Sequence, residues 1–245
     1  MGVLKTLTDE YFGDSIRKED EIDISGLDVE IVSFTDNNGK FHKHGYRVKD
    51  GDSNEMAKTL KTLIERAIEF RGPECSLNDI DVSNQKKMCY EEDEDEIYGV
   101  FENSPFNGDI SGWNVSNVED MYGMFYKAKS FNQPLNKWNV SNVKDMRGMF
   151  SYAKSFNQPL DKWDVSNVKD MCSMFCDDES FNQDISGWDV SNVEDMYGMF
   201  DNAESFNQPL DKWDVSNVEN MYSMFDETQL EKNNKLPKWY LDRMK

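Results

Sequence analysis

Five tryptophans, Trp113, Trp138, Trp163, Trp188 and Trp213, stand 25 residues apart without drift. Each opens the phrase W-[N/D]-V-S-N-V-x-[D/N]-M-x-x-M-F, and all but the last phrase are followed by F-N-x-x-[L/I]. A period of this length belongs to stacked repeat arrays. One such unit cannot bury its own apolar face and is stable only against copies of itself. The chain is therefore expected to be an elongated stack in which equivalent side chains lie above one another.

Within a unit, Ser116, Ser141, Ser166, Ser191 and Ser216 each sit three residues before a Glu or Lys. With Glu119, Glu194 and Glu219 this spacing completes a capping box. The following V-x-x-M-x-x-M-F places apolar residues at i, i+3, i+6 and i+7, which predicts a short helix with one buried face. The segment [L/I]-x-x-W-x-V is the candidate strand. The expected fold is an α/β repeat solenoid, leucine-rich-repeat-like, with one short helix and one short strand per 25-residue coil and an N-terminal α/β cap. The recurring Asn residues of "SN" and "FN" suit the corners, where buried backbone groups need partners.

Residues 1–76 read as the cap: two β-prone runs around "DNNG" predict a hairpin at about 29–48, and an apolar stripe predicts a helix at about 52–70. Asp52 and Glu55 start that helix and Gly72-Pro73 stop it. The array runs over 77–230 as about six coils, because "IDVSNQKKM" at 80–88 already matches "WDVSNVKDM". The acidic insertion "EEDEDE" at 91–96 reads as a solvated loop. Residues 231–245 form a C-terminal cap in which Trp239 is one residue out of register.

The formal net charge is −21, and it is uneven. Residues 1–76 carry 11 basic and 16 acidic groups, whereas residues 77–245 carry 16 and 32. Nucleic acid and anionic membrane surfaces would be repelled. No run of about 18 apolar residues exists to span a bilayer. The segment MGVLKTLTDEYFGD lacks the apolar core of a secretory signal, and four cysteines make no disulfide framework. The expected setting is intracellular, cytoplasmic or inside an assembled particle. MGVLKT fits the myristoylation pattern at Gly2, a short pattern often met by chance, and one acyl chain anchors only marginally.

The repeat W-D-V-S-N-V-x-x-M-x-x-M-F-x-x-A-x-S-F-N-Q resembles that of the BspA-like (DUF285) leucine-rich-repeat family over about residues 77–230. The resemblance implies a leucine-rich-repeat-like solenoid, a role in adhesion or protein interaction, and no catalytic residues. Bacterial members carry a secretion signal and an anchor. Neither is legible here, so a viral or protist intracellular member is the expectation.

If the invariant positions are structural, function sits where copies differ. Tyr122, Arg147, Cys172, Tyr197 and Tyr222 follow the first Met of each unit and form one candidate partner-contact stripe. Tyr126, Ser151, Cys176, Asp201 and Asp226 form a second. The carboxylate column Asp120, Asp145, Asp170 and Asp195 is oxygen-rich, but the first turn of a helix favours negative charge anyway, so no metal is expected. Cys172 and Cys176 lack further zinc ligands, since the histidines, His42 and His44, lie in the hairpin. No catalytic set and no cofactor site follow from the spacing. The expected function is a non-enzymatic protein-interaction or scaffold role with an acidic surface suited to a basic protein partner. The alternatives are a structural, self-associating component of a particle such as a large DNA virus virion, and a cell-surface adhesin.

Overall fold

The computed structural model describes residues 21–93 and 96–244, so Gly2 lies outside the described residues. Strands β1 (Val29–Thr35) and β2 (Phe41–Val48) pair antiparallel. Asp36 holds the turn between them: its Oδ1 accepts the N–H groups of Asn38 and Lys40, both at 2.9 Å. Helix α1 (Ser53–Arg71) begins at Asp52, whose carboxylate accepts the N–H groups of Asn54 and Glu55. It ends at Gly72, whose φ of +88° suits a residue without Cβ. The buried stripe of α1 comprises Met56, Ala57, Leu60, Leu63, Ile64 and Ala67. Strand β3 (Ile80–Asp81) pairs parallel with β2 and ties this unit to the first repeat.

From there the repeats stack. Parallel bridges join Lys87 to Asp120, then Asp120 to Asp145, Asp170, Asp195 and Asn220 in turn. The N–H groups of Met121, Gly123, Phe125 and Lys127 donate to the carbonyls of Asp145, Arg147, Met149 and Ser151 in the next repeat, at 2.8–2.9 Å. The intervening N–H groups of Met124, Tyr126 and Ala128 close tight turns onto Met121, Gly123 and Phe125.

The expected helix over V-x-x-M-x-x-M-F does not form; residues 116–228 hold turns and isolated bridges. The reason is the backbone. Left-handed residues recur every fourth position, at Gly123 and Lys127, Gly148 and Tyr152, Ser173 and Asp177, and Gly198 and Asn202. Each one breaks a right-handed helix and turns alternate N–H groups towards the neighbouring repeat. Ser116 and its equivalents do not cap helices either: their N–H groups donate to Asn114, Asn139, Asp164, Asp189 and Asp214, in Asx-turns. Glu119 instead faces Lys144 of the next repeat at 2.6 Å. The segment [L/I]-x-x-W-x-V is likewise a turn, with Trp138 N–H on Leu135 O, and pairing sits at the Asp120 column.

Inside the stack, Phe125, Phe150, Phe175, Phe200 and Phe225 lie face to face at 5.4–5.8 Å. A second column, Phe131, Phe156, Phe181 and Phe206, packs against the first at 3.9–4.2 Å. Burying each such ring contributes about 1.5–3 kcal/mol. Each indole is satisfied across repeats, as when Trp163 Nε1 donates to Leu135 O at 3.0 Å. At the corners, Asn132, Asn157, Asn182 and Asn207 each donate a backbone N–H to the side-chain oxygen of the Asn one repeat earlier. A second ladder runs from Asn142, Asn167, Asn192 and Asn217 side chains to Ser carbonyls at 2.7–2.8 Å.

The described residues of the acidic insertion lie in strands rather than in a loop. β4 (Cys89–Asp93) and β5 (Glu96–Gly99) form an antiparallel pair. Its apolar flanks explain it: Tyr90 stacks on Tyr98 at 5.7 Å, and Asn54 of α1 clamps both backbone groups of Glu91. Gly99 then passes so close to the Gly123 carbonyl that a Cβ would stand 2.0 Å from it. At the other end lie α2 (Gln229–Lys232) and α3 (Lys238–Arg243). Arg243 donates to the carbonyls of Val215 and Val218, and Tyr240 meets Phe225 edge-on at 5.0 Å.

Candidate functional site: a groove between two variable columns

The left-handed residues Gly123, Gly148 and Ser173 carry little or no side chain, and they form a floor. Tyr122, Arg147 and Cys172, which precede the floor positions, and Tyr126, Ser151 and Cys176, three residues after them, line the same groove. Together they line a groove of about 490 Å³. Ile97 of β5, Glu102 and Tyr152 complete its lining. Tyr197 and Tyr222 continue the first column with 47% and 69% of their surface exposed. The groove itself is bounded by the first three members of each column.

Arg147 is not a free cation. Its guanidinium grips Asp145, with Nε 2.9 Å and Nη2 2.6 Å from Oδ2, and its Nε stands 3.6 Å from Asp170. Hydrogen bonding to Asp145 raises its affinity for a proton further. The same guanidinium lies over the Tyr122 ring at 5.0 Å, and the Lys127 ammonium lies over Tyr126 at 4.6 Å. Both tyrosine faces accept cations.

The aspartate column has a local task. Oδ1 of Asp120, Asp145, Asp170 and Asp195 accepts the N–H two residues on, at 2.7–3.0 Å, and so fixes the turn that begins each floor position. Burial pushes the carboxyls of Asp120 and Asp170 up, and the neighbouring Asp145 adds to this. Among the described residues no group of three or more His, Cys, Asp or Glu is arranged to hold a metal ion.

Cys172 and Cys176 are free, half-buried thiols. Burial pushes the Cys172 thiol up, and burial with the adjacent Asp177 pushes Cys176 to about 12. Both are poor nucleophiles at neutral pH, because the thiolate is the reactive form. His42 is buried against Asp36 at 2.9 Å and stacked on Phe34.

Sequence spacing alone did not identify Tyr152, Glu102, Ile97 or the floor. The signal for the floor is the [G/S] after each variable residue, in "MYGMF", "MRGMF" and "MCSMF". Glu102 and Ile97 come from the insertion region, and no repeat period points to them.

Among the described residues, no helix is long and apolar enough to cross a membrane. Comparison with curated proteins gives no match, and neither does comparison with solved structures. Residues 95–175 and 134–239 match the family model described as "Mycoplasma protein of unknown function, DUF285". Those matches span more than half of the chain, which belongs to the DUF285 family.

Proposed function

We propose that the protein is a non-enzymatic scaffold, a leucine-rich-repeat-like solenoid that binds a protein partner along the groove. One observation carries this reading: the apolar letters that repeat are buried, and variable letters of the first repeats line a groove. Trp, Val, Met and Phe of each repeat are almost wholly enclosed, whereas Tyr122, Arg147 and Cys172 line the groove and Tyr197 and Tyr222 are exposed further along the same column. Tyr and Arg suit a contact surface because they are enriched among the residues that dominate binding energy, and Arg147 is already held in place by Asp145. The raised thiols and the aspartates engaged in turns favour binding over chemistry.

The test is photo-cross-linking in the native source, with a photoreactive residue at Tyr197 or, as control, at the exposed Lys212. Capture of one foreign protein from position 197 and not from 212 is expected. Capture only of further copies of the chain would make the molecule a building block of an assembly instead.

A further inference from the structure

The charge of the stack changes abruptly along its axis. Residues 113–162 hold seven basic and four acidic side chains, and residues 163–237 hold four and seventeen. The groove crosses this boundary. The groove carries the tyrosine faces, and beyond its lining the stack continues in register from Cys176 to Asp201 and Asp226, with Asp177 beside them.

Those carboxylates have no cationic partner among the described residues, although Asp177 accepts the Cys176 thiol at 3.3 Å. No ion pair within 4.0 Å joins Asp177, Asp201 or Asp226 to a described Lys, Arg or His. Burial raises the proton affinity of Asp201, and the carboxylates of Asp226 and Asp177 raise it further. Backbone stacking explains why they crowd: Asp177 N–H donates to Asp201 O, and Asn202 N–H to Asp226 O. A cation arriving here would relieve repulsion that the chain itself does not relieve.

We infer that the groove, together with the carboxylate row that continues it, takes an extended segment of a partner protein bearing lysine or arginine side chains. The inference rests on the scaffold reading and names the chemistry of its partner. Basic side chains at one end would lie on tyrosine faces, as Arg147 and Lys127 already do on Tyr122 and Tyr126. Those at the other end would lie between Asp177, Asp201 and Asp226. The floor admits a backbone because Gly123 and Gly148 present no side chain and Ser173 only a hydroxymethyl. With repeats 5.4–5.8 Å apart at the adjoining Phe column, the five left-handed positions from Gly123 to Ser223 match about seven residues of extended chain.

The test is fluorescence anisotropy on the full chain with labelled peptides alternating Lys and Thr, Gln and Thr, or Glu and Thr. The Lys peptide is expected to bind, and the other two at least ~10-fold more weakly. Asp201→Lys with Asp226→Lys should weaken the Lys peptide by ~10-fold or more. Asp211→Lys with Glu219→Lys makes the same charge change at exposed positions outside the groove, and should cost at most about 3-fold. Melting curves confirm that both double variants fold. Equal loss from the two double variants would overturn the inference, because bulk charge would explain binding. Failure of the Lys peptide to bind would also overturn it, even where position 197 still captures a foreign protein and the scaffold reading stands. Tight, groove-dependent binding of the Lys peptide supports it, whereas capture of copies alone would then count against the scaffold reading only.

Discussion

Trp239 donates from Nε1 to the carbonyl of Leu210 at 2.9 Å, the bond that Trp213 makes to Ile185 one repeat earlier. It does so from α3, one residue later than the 25-residue period would place it. The indole column thus continues beyond the last repeat, on a helix rather than a turn. Each repeat touches only its neighbours, so loss of this cap should spread inward from one end.

Trp239→Ala should therefore speed amide exchange at Phe200 and Met224 by an order of magnitude or more, with Phe125 unaffected. Removing the indole leaves the Leu210 carbonyl without its donor, a cost of about 1–3 kcal/mol. Uniform acceleration over all repeats would contradict this local reading. Hydrogen exchange followed by mass spectrometry resolves the two cases.

Trp163→Ala acts in the middle. The ring is 4% exposed and bonded to Leu135 O, and truncating a buried aromatic costs about 3–5 kcal/mol. A clear drop in melting temperature is expected. Tyr197→Ala, at an exposed ring, should leave melting unchanged and weaken partner capture. A large melting loss at position 197 would place that column in the core.

Asp178 stands where Ala128, Ala153 and Ala203 stand in other repeats, and it is fully buried. Its Oδ1 accepts the Ser180 N–H at 3.2 Å, and its Oδ2 has no partner. Burial pushes this carboxyl well above its usual range. The unfolded chain ionises first, so this group costs stability as pH rises from about 4 towards the folded value. Asp178→Ala should stabilise the protein by about 1–3 kcal/mol at neutral pH, and by less at pH 4. Thermal melts at several pH values check this; a gain independent of pH would contradict it.

Asp36 has the opposite sign. Burial pushes its carboxyl up, but hydrogen bonds from His42 and from the N–H groups of Lys40 and Asn38 outweigh burial and hold it below the usual range. Its contribution is present above about pH 4 and is lost as pH falls through the folded value. Asp36→Asn should lower the melting temperature at pH 7, and the difference from the parent should shrink in acid. A difference constant from pH 7 to pH 3 would show that the charge is not responsible.

Parts of this architecture are legible in the sequence for identifiable reasons. The drift-free tryptophans mark the repeat, and α1 lies between Asp52 and Gly72 because a capping carboxylate and a left-handed glycine are local signals. The spacing predicts a helix where turns form because Val118, Met121, Met124 and Phe125 bury one face whether the backbone is helical or a chain of turns. The deciding feature is where Gly123 and Lys127 N–H groups donate, and their acceptors belong to the next repeat. The β4–β5 pair was hidden by its own charge, although Cys89-Tyr90 and Ile97-Tyr98 flank it as strand residues would. The groove needed three dimensions, since Glu102 and Tyr122 share no period.

The groove exists only where the backbone turns left-handed at the floor and again four residues on. Three-bond NMR couplings that report φ at Lys127, Tyr152 and Asn202 test this without reference to any partner. Positive φ is expected at all three, near +57° to +60°. Helical couplings there, with amides bonded within their own repeat, would contradict the stacked-turn structure and remove the groove built on it.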